Sequence, residues 1–358
     1  MKRKKVLFCL LALVLTLSTL FVFSACTPNT PNTPDVPNQP NDSNEPNQDQ
    51  AAPDTELPIR VTVLSGTTGF SMAPLMQSYA DGSAKLNYSF KVEADATNVN
   101  AALINGTVDI AALPTNAASV VYNKTNGAIQ ILTINTQGVL YLLDNGNNID
   151  SFEDLRGKTV AVPAQNPTFI FKYLCEKNGL TVGAKGDTNV DVIIDNGYTS
   201  PAELQSNVAA GNVSLAVLPE PMVTITTSAN ADVKVALDLT EEWNKVSPEN
   251  SLVQGCIVVR KEFAEQHPAE VAAFLEEYEA SVNFLLNNVS EAAQMVAAQG
   301  IFAKAQVAAK AIPNCNICYM TGEEMKAAMN EFLSIMMIVQ PASIGGKLPG
   351  DDFYYGVK

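Results

Sequence analysis

The sequence predicts an α/β protein built as two similar α/β lobes with mainly parallel sheets, hinged around a ligand cleft. Three observations carry this. Residues 106–114 read GTVDIAALP and residues 211–219 read GNVSLAVLP, matching at Gly, Val, Ala, Leu and Pro with equal spacing. A fainter echo precedes each copy: an apolar run, a polar loop and a helix with Phe near its start recur at 60–70 and 158–169. The body from Leu57 to Lys358 also exceeds what one hydrophobic core usually holds, which is about 250–300 residues.

In chain order, Arg60–Leu64 alternates as a strand, Ser65 to Gly69 is a loop, and Phe70 opens a helix. A strand is expected over 87–93 and a helix over 97–105. Gly106 suits the helix C-cap, and the apolar run ending at Pro114 reads as a buried strand. The second copy repeats this order. Lys158–Val162 is a strand, and Asn166-Pro167 fits an N-cap followed by the first helical position. Residues 190–195 form a strand, and Ser200-Pro-Ala-Glu203 is a capping box opening the helix over 201–210. The strand ending at Pro219 closes the set. Apolar strands separated by short helices imply parallel sheets covered on both faces. Strands over 233–238 and 252–259 follow. A helix over 268–287 then places Val271, Phe274, Leu275, Tyr278, Val282 and Leu285 on one face. Ser290 and Thr321 are further N-cap candidates, and the last residues read as irregular.

The expected organisation is a signal peptide over 1–25, a tether over 26–56, domain A over 57–143 plus 253–340, domain B over 149–250, and a C-terminal tail over 341–358. Lys2, Arg3, Lys4 and Lys5 precede an apolar run to Phe23, and Ser24-Ala25-Cys26 follows. Such a basic, apolar and small-residue order is a secretory signal. A Cys directly after Ser-Ala resembles a bacterial lipobox, with Cys26 as the lipidated N-terminus. An uncleaved anchor is the alternative; both place the body outside the cytoplasm, with lipid on Cys26 making it a cell-membrane lipoprotein. Residues 27–50 hold six Pro, six Asn and one aliphatic side chain, too little apolar surface to fold. Their Pro content favours an extended tether of up to roughly 75 Å.

The 22 basic and 37 acidic residues give a formal charge of −15, and four of the basic ones lie in the first five positions. With no Lys/Arg patch, nucleic-acid binding is excluded as a function class. Beyond Cys9 and Cys26 the chain holds Cys175, Cys256, Cys315 and Cys318. The Cys315-Asn-Ile-Cys318 spacing suits a redox or half-zinc motif, but His267 is the only His and no second such pair exists. A local disulfide or two buried thiols is expected there, with three pairings open among the four Cys.

No phosphate fingerprint, zinc-protease, nucleophile-elbow or EF-hand motif occurs. No catalytic residue, cofactor or metal is therefore expected. His267, before Pro268, reads as an exposed cap. What remains are loops at strand carboxyl ends, where open α/β sheets bind ligands. The first copy supplies Ser65, Gly66, Thr67, Thr68, Thr115 and Asn116; the second supplies Gln165, Asn166, Thr168 and Glu220. These are mostly hydroxyls and amides beside helix starts, whose free N–H groups suit an oxyanion. Each can also simply cap its own helix. Glu220 reads equally as the partner of a ligand amine or ring N–H, or as a hinge hydrogen-bond group. Phe70, Phe169 and Trp243 are candidates for an apolar wall, with core packing the stronger reading for the two Phe and a cleft role more open to Trp243.

Several segments, in order and spacing, resemble solute-binding proteins of ABC importers, most closely the group of nitrate, sulfonate, taurine and thiamine-precursor binders. They are the Cys26 lipobox, GTVDIAALP, DLRGKTVAV at 154–162, LPEP at 218–221 and VVRKEFAEQHP at 258–268. The resemblance implies a periplasmic binding protein type II-like fold, two crossings between lobes, and closure on a small-molecule ligand. It implies ABC permease and ATPase subunits as partners, and a monomer. Its binding positions fall at 65–69, 114–116, 164–168 and 219–221. No Arg occupies these loops, so a salt-bridged sulfonate or carboxylate is not indicated. The expected function is capture of a small organic solute, sulfonate-like or pyrimidine-like, for import. The alternatives are an enzyme on the same fold, as in relatives that make menaquinone precursors, and a non-transport structural lipoprotein.

Overall fold

Buried backbone groups must bond to one another, so the buried apolar runs fold either as sheet strands or as helices. The computed structural model describes residues 52–198 and 200–357; the signal, Cys26 and nearly all of the tether lie outside the described residues. The first region runs β1 (Pro58–Leu64), α1 (Thr67–Phe70), α2 (Ala73–Ala80), β2 (Asn87–Glu93), α3 (Ala96–Ile104), β3 (Ile110–Pro114), α4 (Thr115–Thr125) and β4 (Ile129–Thr136). The second runs β5 (Leu140–Asp144), β6 (Lys158–Ala161), α5 (Asn166–Lys177), β7 (Val182–Ala184), β8 (Val192–Asp195), α6 (Pro201–Ala209), β9 (Leu215–Pro219), α7 (Met222–Ala229), β10 (Lys234–Asp238) and α8 (Leu239–Val246). The chain then returns through β11 (Gly255–Arg260), α9 (Lys261–Gln266), α10 (Pro268–Asn287), α11 (Val289–Ala298), α12 (Ala305–Ala311), β12 (Ile317–Met320) and α13 (Gly322–Val339).

Two six-stranded sheets result, in the orders β12-β4-β11-β3-β1-β2 and β10-β5-β9-β6-β8-β7. The echoed strands β3 and β9 hold equivalent places, each beside the first strand of its own set. The fold is therefore two α/β lobes, as expected, but the sheets are mixed rather than mainly parallel. Strand β11 runs antiparallel to β3, with Gly255 opposite Pro114, and β5 antiparallel to β9, with Leu140 opposite Pro219. The reason is topological. Each of these strands arrives from the other lobe and enters at the carboxyl end of β3 or β9, so it runs backwards along it. Residues 140–143, grouped with domain A by sequence, pair in the second sheet; the chain passes between sheets over 137–139.

Trp243 lies in the core rather than at a cleft. Helix α8 buries Leu239 and Trp243 one turn apart, and the indole N–H donates to Ser251 Oγ at 2.8 Å. Its ring packs on Tyr173 and Phe332. Cys175, Cys256, Cys315 and Cys318 are all free thiols. Burial pushes the Cys318 thiol up to about 12, so it is protonated and unreactive. The tail is irregular but fastened: Asn123 Nδ2 donates to the carbonyls of Ile344 and Lys347, both at 2.8 Å.

Candidate functional site

The loop after β1 turns at Gly66, whose φ of 88° with ψ of −161° is reached essentially only by glycine. Ser65 N–H donates to Glu93 O, and Asn135 Nδ2 holds the Thr68 carbonyl at 2.8 Å. Asn135 Nδ2 also donates to the Tyr278 hydroxyl, which shares a 2.6 Å bond with Ser71 Oγ. With Asn135, Tyr278 and Ser71 all buried, this network fixes the loop from behind. Sequence reading missed it; the available signal was an amide inside the apolar strand β4. On the facing lobe, Gln165 precedes α5 at φ 69°. A non-glycine residue there costs about 1–3 kcal/mol.

These loops enclose a cavity of about 500 Å³ between the sheets, within the range of small-molecule sites. Ser65, Gly66, Thr67, Thr68, Asn166 and Glu220 all line it. Asn116 and Gln165 instead line an adjoining space of about 370 Å³, which also shares Asn166. Thr115 and Thr168 line neither. The Thr115 hydroxyl is buried and donates to Val253 O at 2.8 Å, while Thr168 donates to Pro163 O and accepts from Asn196 Nδ2. Thr168 serves its own loop, and Thr115 ties α4 to the return crossing. The apolar wall comes from Ile301, Phe302 and Met222, with Phe302 edge-on to the core ring of Phe70. Phe169 faces a separate shallow pocket with Asn116 and Gln165. Gln254, on the return crossing, also lines the main cavity, its Oε1 taken by Val139 N–H at 2.8 Å; nothing in its local sequence marks it.

Several side-chain bonds join the lobes here, the Tyr141 hydroxyl donating to Asn314 O at 2.8 Å among them. Thr67 Oγ1 donates to Glu220 O at 2.9 Å, Asn166 Nδ2 to Asn116 Oδ1 at 2.8 Å, and Asn314 Nδ2 lies 3.5 Å from Glu220 Oε1. The Glu220 carboxylate is 3% exposed. It accepts Thr224 N–H at 3.1 Å on one oxygen and the Thr224 hydroxyl at 2.9 Å on the other. Burial pushes its pKa above the ordinary Glu range, and the Thr224 and Asn314 bonds oppose that shift. Burial, aided by the Glu220 charge, raises the Cys315 thiol nearby. His267 sits on Phe263 at the α9–α10 corner and lines neither cavity. Among the described residues no group of three or more His, Cys, Asp and Glu is placed to hold a metal.

A family model described as menaquinone biosynthesis matches residues 72–337. The chain belongs to that family. No curated protein matches it. Among solved structures, an ABC transporter from Parabacteroides distasonis is 23% identical, with a TM-score of 0.69 over 84% of this chain and 99% of that one. The periplasmic aliphatic sulphonate binding protein of Escherichia coli is 14% identical, with a TM-score of 0.66 over 83% and 92%. The ligand binding component of an ABC-type import system from Staphylococcus aureus, solved with zinc bound, is 15% identical, with a TM-score of 0.59 over 83% and 96%. At these identities the likeness establishes the fold: the two-lobed architecture of periplasmic solute-binding proteins.

Proposed function

We propose that the chain is the extracytoplasmic substrate-binding component of an ABC importer, capturing a small organic solute between its lobes. One observation carries this. Of the described side chains lining the main cavity, Glu220 alone is ionisable, and both its oxygens already accept bonds from Thr224. Activating a nucleophile, or pairing a general acid with a general base, needs a second titratable group within hydrogen-bond reach, and none lines this cavity among the described residues. The binding groups are Ser65, Thr67, Thr68 and Asn166, with Asn116 and Gln165 in the adjoining space. Domain A takes the first sheet and domain B the second, Cys26 carries the lipid, and the permease and ATPase are the partners. The family match favours a second reading, an enzyme on this fold with Glu220 as its acid–base group.

The two readings differ in what leaves the cleft. Purified protein lacking residues 1–25 is titrated with small organic solutes by calorimetry, and each bound solute is then recovered and weighed by mass spectrometry. Unchanged solute is expected. Steady conversion to a product of different mass would give the enzyme reading precedence. In cells, Cys26→Ala should leave full-length precursor without lipid label; normal processing of that variant would remove the lipoprotein claim.

A further inference from the structure

Helix N-termini in an α/β cleft ordinarily receive an anion, because their free N–H groups and dipole favour negative charge. At three helix starts in this cleft the chain itself uses or removes part of that capacity. At the start of α7 the Glu220 carboxylate accepts both the N–H and the hydroxyl of Thr224. At the start of α4 the first N–H, that of Thr115, goes to Gln254 O. The start of α5 carries Pro167, which has no N–H to offer. Among the described residues no Arg, Lys or His lines the main cavity or the adjoining space. An oxyanion entering here meets a fixed carboxylate and no cation.

The unused hydrogen-bonding capacity has the opposite character. A carboxylate offers about four acceptor sites, and three donors approach Glu220: Thr224 N–H, Thr224 Oγ1 and, at 3.5 Å, Asn314 Nδ2. Asn166 offers another acceptor. Asn116 Nδ2 is turned to the carbonyl of Ser343, so its Oδ1 faces Asn166 and takes the Asn166 Nδ2 donor. That fixes the Asn166 amide orientation and leaves its Oδ1 buried without a partner, in a residue shared by both cavities.

We infer that the solute is a hydrogen-bond donor, an amine or N–H-bearing heterocycle received by the Glu220 carboxylate, and that sulfonates and other oxyanions are rejected. This rests on the solute-binding reading of the same cleft. The apolar wall of Ile301, Phe302 and Met222 accommodates a ring, and Asn166 rotating away from Asn116 offers the second acceptor.

Paired probes that differ only at the head group test this: benzylamine against benzylsulfonate, and 4-aminopyrimidine against pyrimidine-4-sulfonate. Binding is measured by calorimetry on the wild type and on Glu220→Gln, which keeps an acceptor for Thr224 N–H. The donor member of each pair is expected to bind and its sulfonate to fail, with the variant weakening the donor by about tenfold or more. Preference for a sulfonate, equal binding within pairs, or no binding by either donor would overturn the ligand class. The wild-type preference decides even if the variant misfolds. A sulfonate bound and released unchanged would remove this inference and leave the receptor reading standing. An amine bound and chemically converted would do the reverse.

Discussion

The corner where β3 passes into α4 and the corner where β9 passes into α7 descend from the same pattern and do different work. Both strands end in Pro, Pro114 and Pro219. After Pro114 the helix starts at once, and its first side chain, Thr115, turns away from the cleft to bond Val253 O on the return crossing. After Pro219 come Glu220 and Pro221 before α7 begins, and the Glu220 carboxylate caps Thr224. Two residues of delay place a buried charge on one wall and none on the other. A second divergence lies earlier in the copies, where Asp109 of the first corresponds to Ser214 of the second. Asp109 receives Arg60 at 2.5 Å and Arg260 at 3.2 Å, whereas the Ser214 carbonyl alone is used, by Asn145 N–H and Asn147 Nδ2. Duplicated segments thus keep their strand and replace what surrounds it.

The largest expected effect separates Asp109 from Ser214. Removing the buried charge takes away the partner of Arg60, whereas Arg260 keeps Val108 O and Glu262. Asp109→Asn should cost about 2–3 kcal/mol, less than a fully buried pair because Arg60 is half exposed. Ser214→Ala should cost less than about 0.5 kcal/mol. Urea unfolding at neutral pH measures both, and equal losses would erase the contrast. Burial raises the Asp109 pKa, but the Arg60 and Arg260 bonds outweigh it and hold the carboxyl below its ordinary value. Its stabilisation is therefore full above the ordinary Asp range and lost as pH falls through the lower folded value. The gap between wild type and Asp109→Asn should narrow on acidification; a gap that widened would contradict the ion-pair account.

A smaller effect sharpens the two helix starts. Thr115→Val leaves the buried Val253 carbonyl unpaired and should cost about 1–3 kcal/mol. Thr168→Val, on the half-buried start of α5, should cost at most about 1 kcal/mol. If Thr168→Val proved the more damaging, the two starts would have been assigned the wrong way round. The smallest effect is at Glu220. Its folded pKa is raised, so its contribution is most favourable at low pH and is lost as pH rises through the folded value. Glu220→Gln should raise the melting temperature slightly at pH 8 and converge with the wild type near pH 4. Destabilisation at pH 8 would mean that the charge itself holds α7.

The alternation of strands and helices was readable because hydrophobic period depends on neighbours in sequence. Strand direction was not. Nothing in GCIVVR over 255–260 records that it enters its sheet from the cleft end, so the sheets read as parallel. Trp243 was misread for a local reason: Leu239 and Trp243 sit four apart on one face of α8, a signature shortened by the helix having only eight residues. The loop residues 65–68 could be nominated from their position after a strand. Their support could not, because Asn135 and Tyr278 meet across more than a hundred residues of chain. The Glu220–Thr224 cap is the opposite case, a four-residue relation that a search for capping carboxylates would have found.

The order of strands also has a consequence for how the molecule is made. Every strand of the second sheet lies between Leu140 and Asp238, while the first sheet needs segments from Pro58 to Met320. Pairing distant segments carries a loop-closure cost that slows folding. A chain emerging from its N-terminus therefore has all the strands of the second sheet in hand while the first still lacks β11 and β12. Until those arrive, β3 and β4 have no shared neighbour between them, and their inner edges stand open.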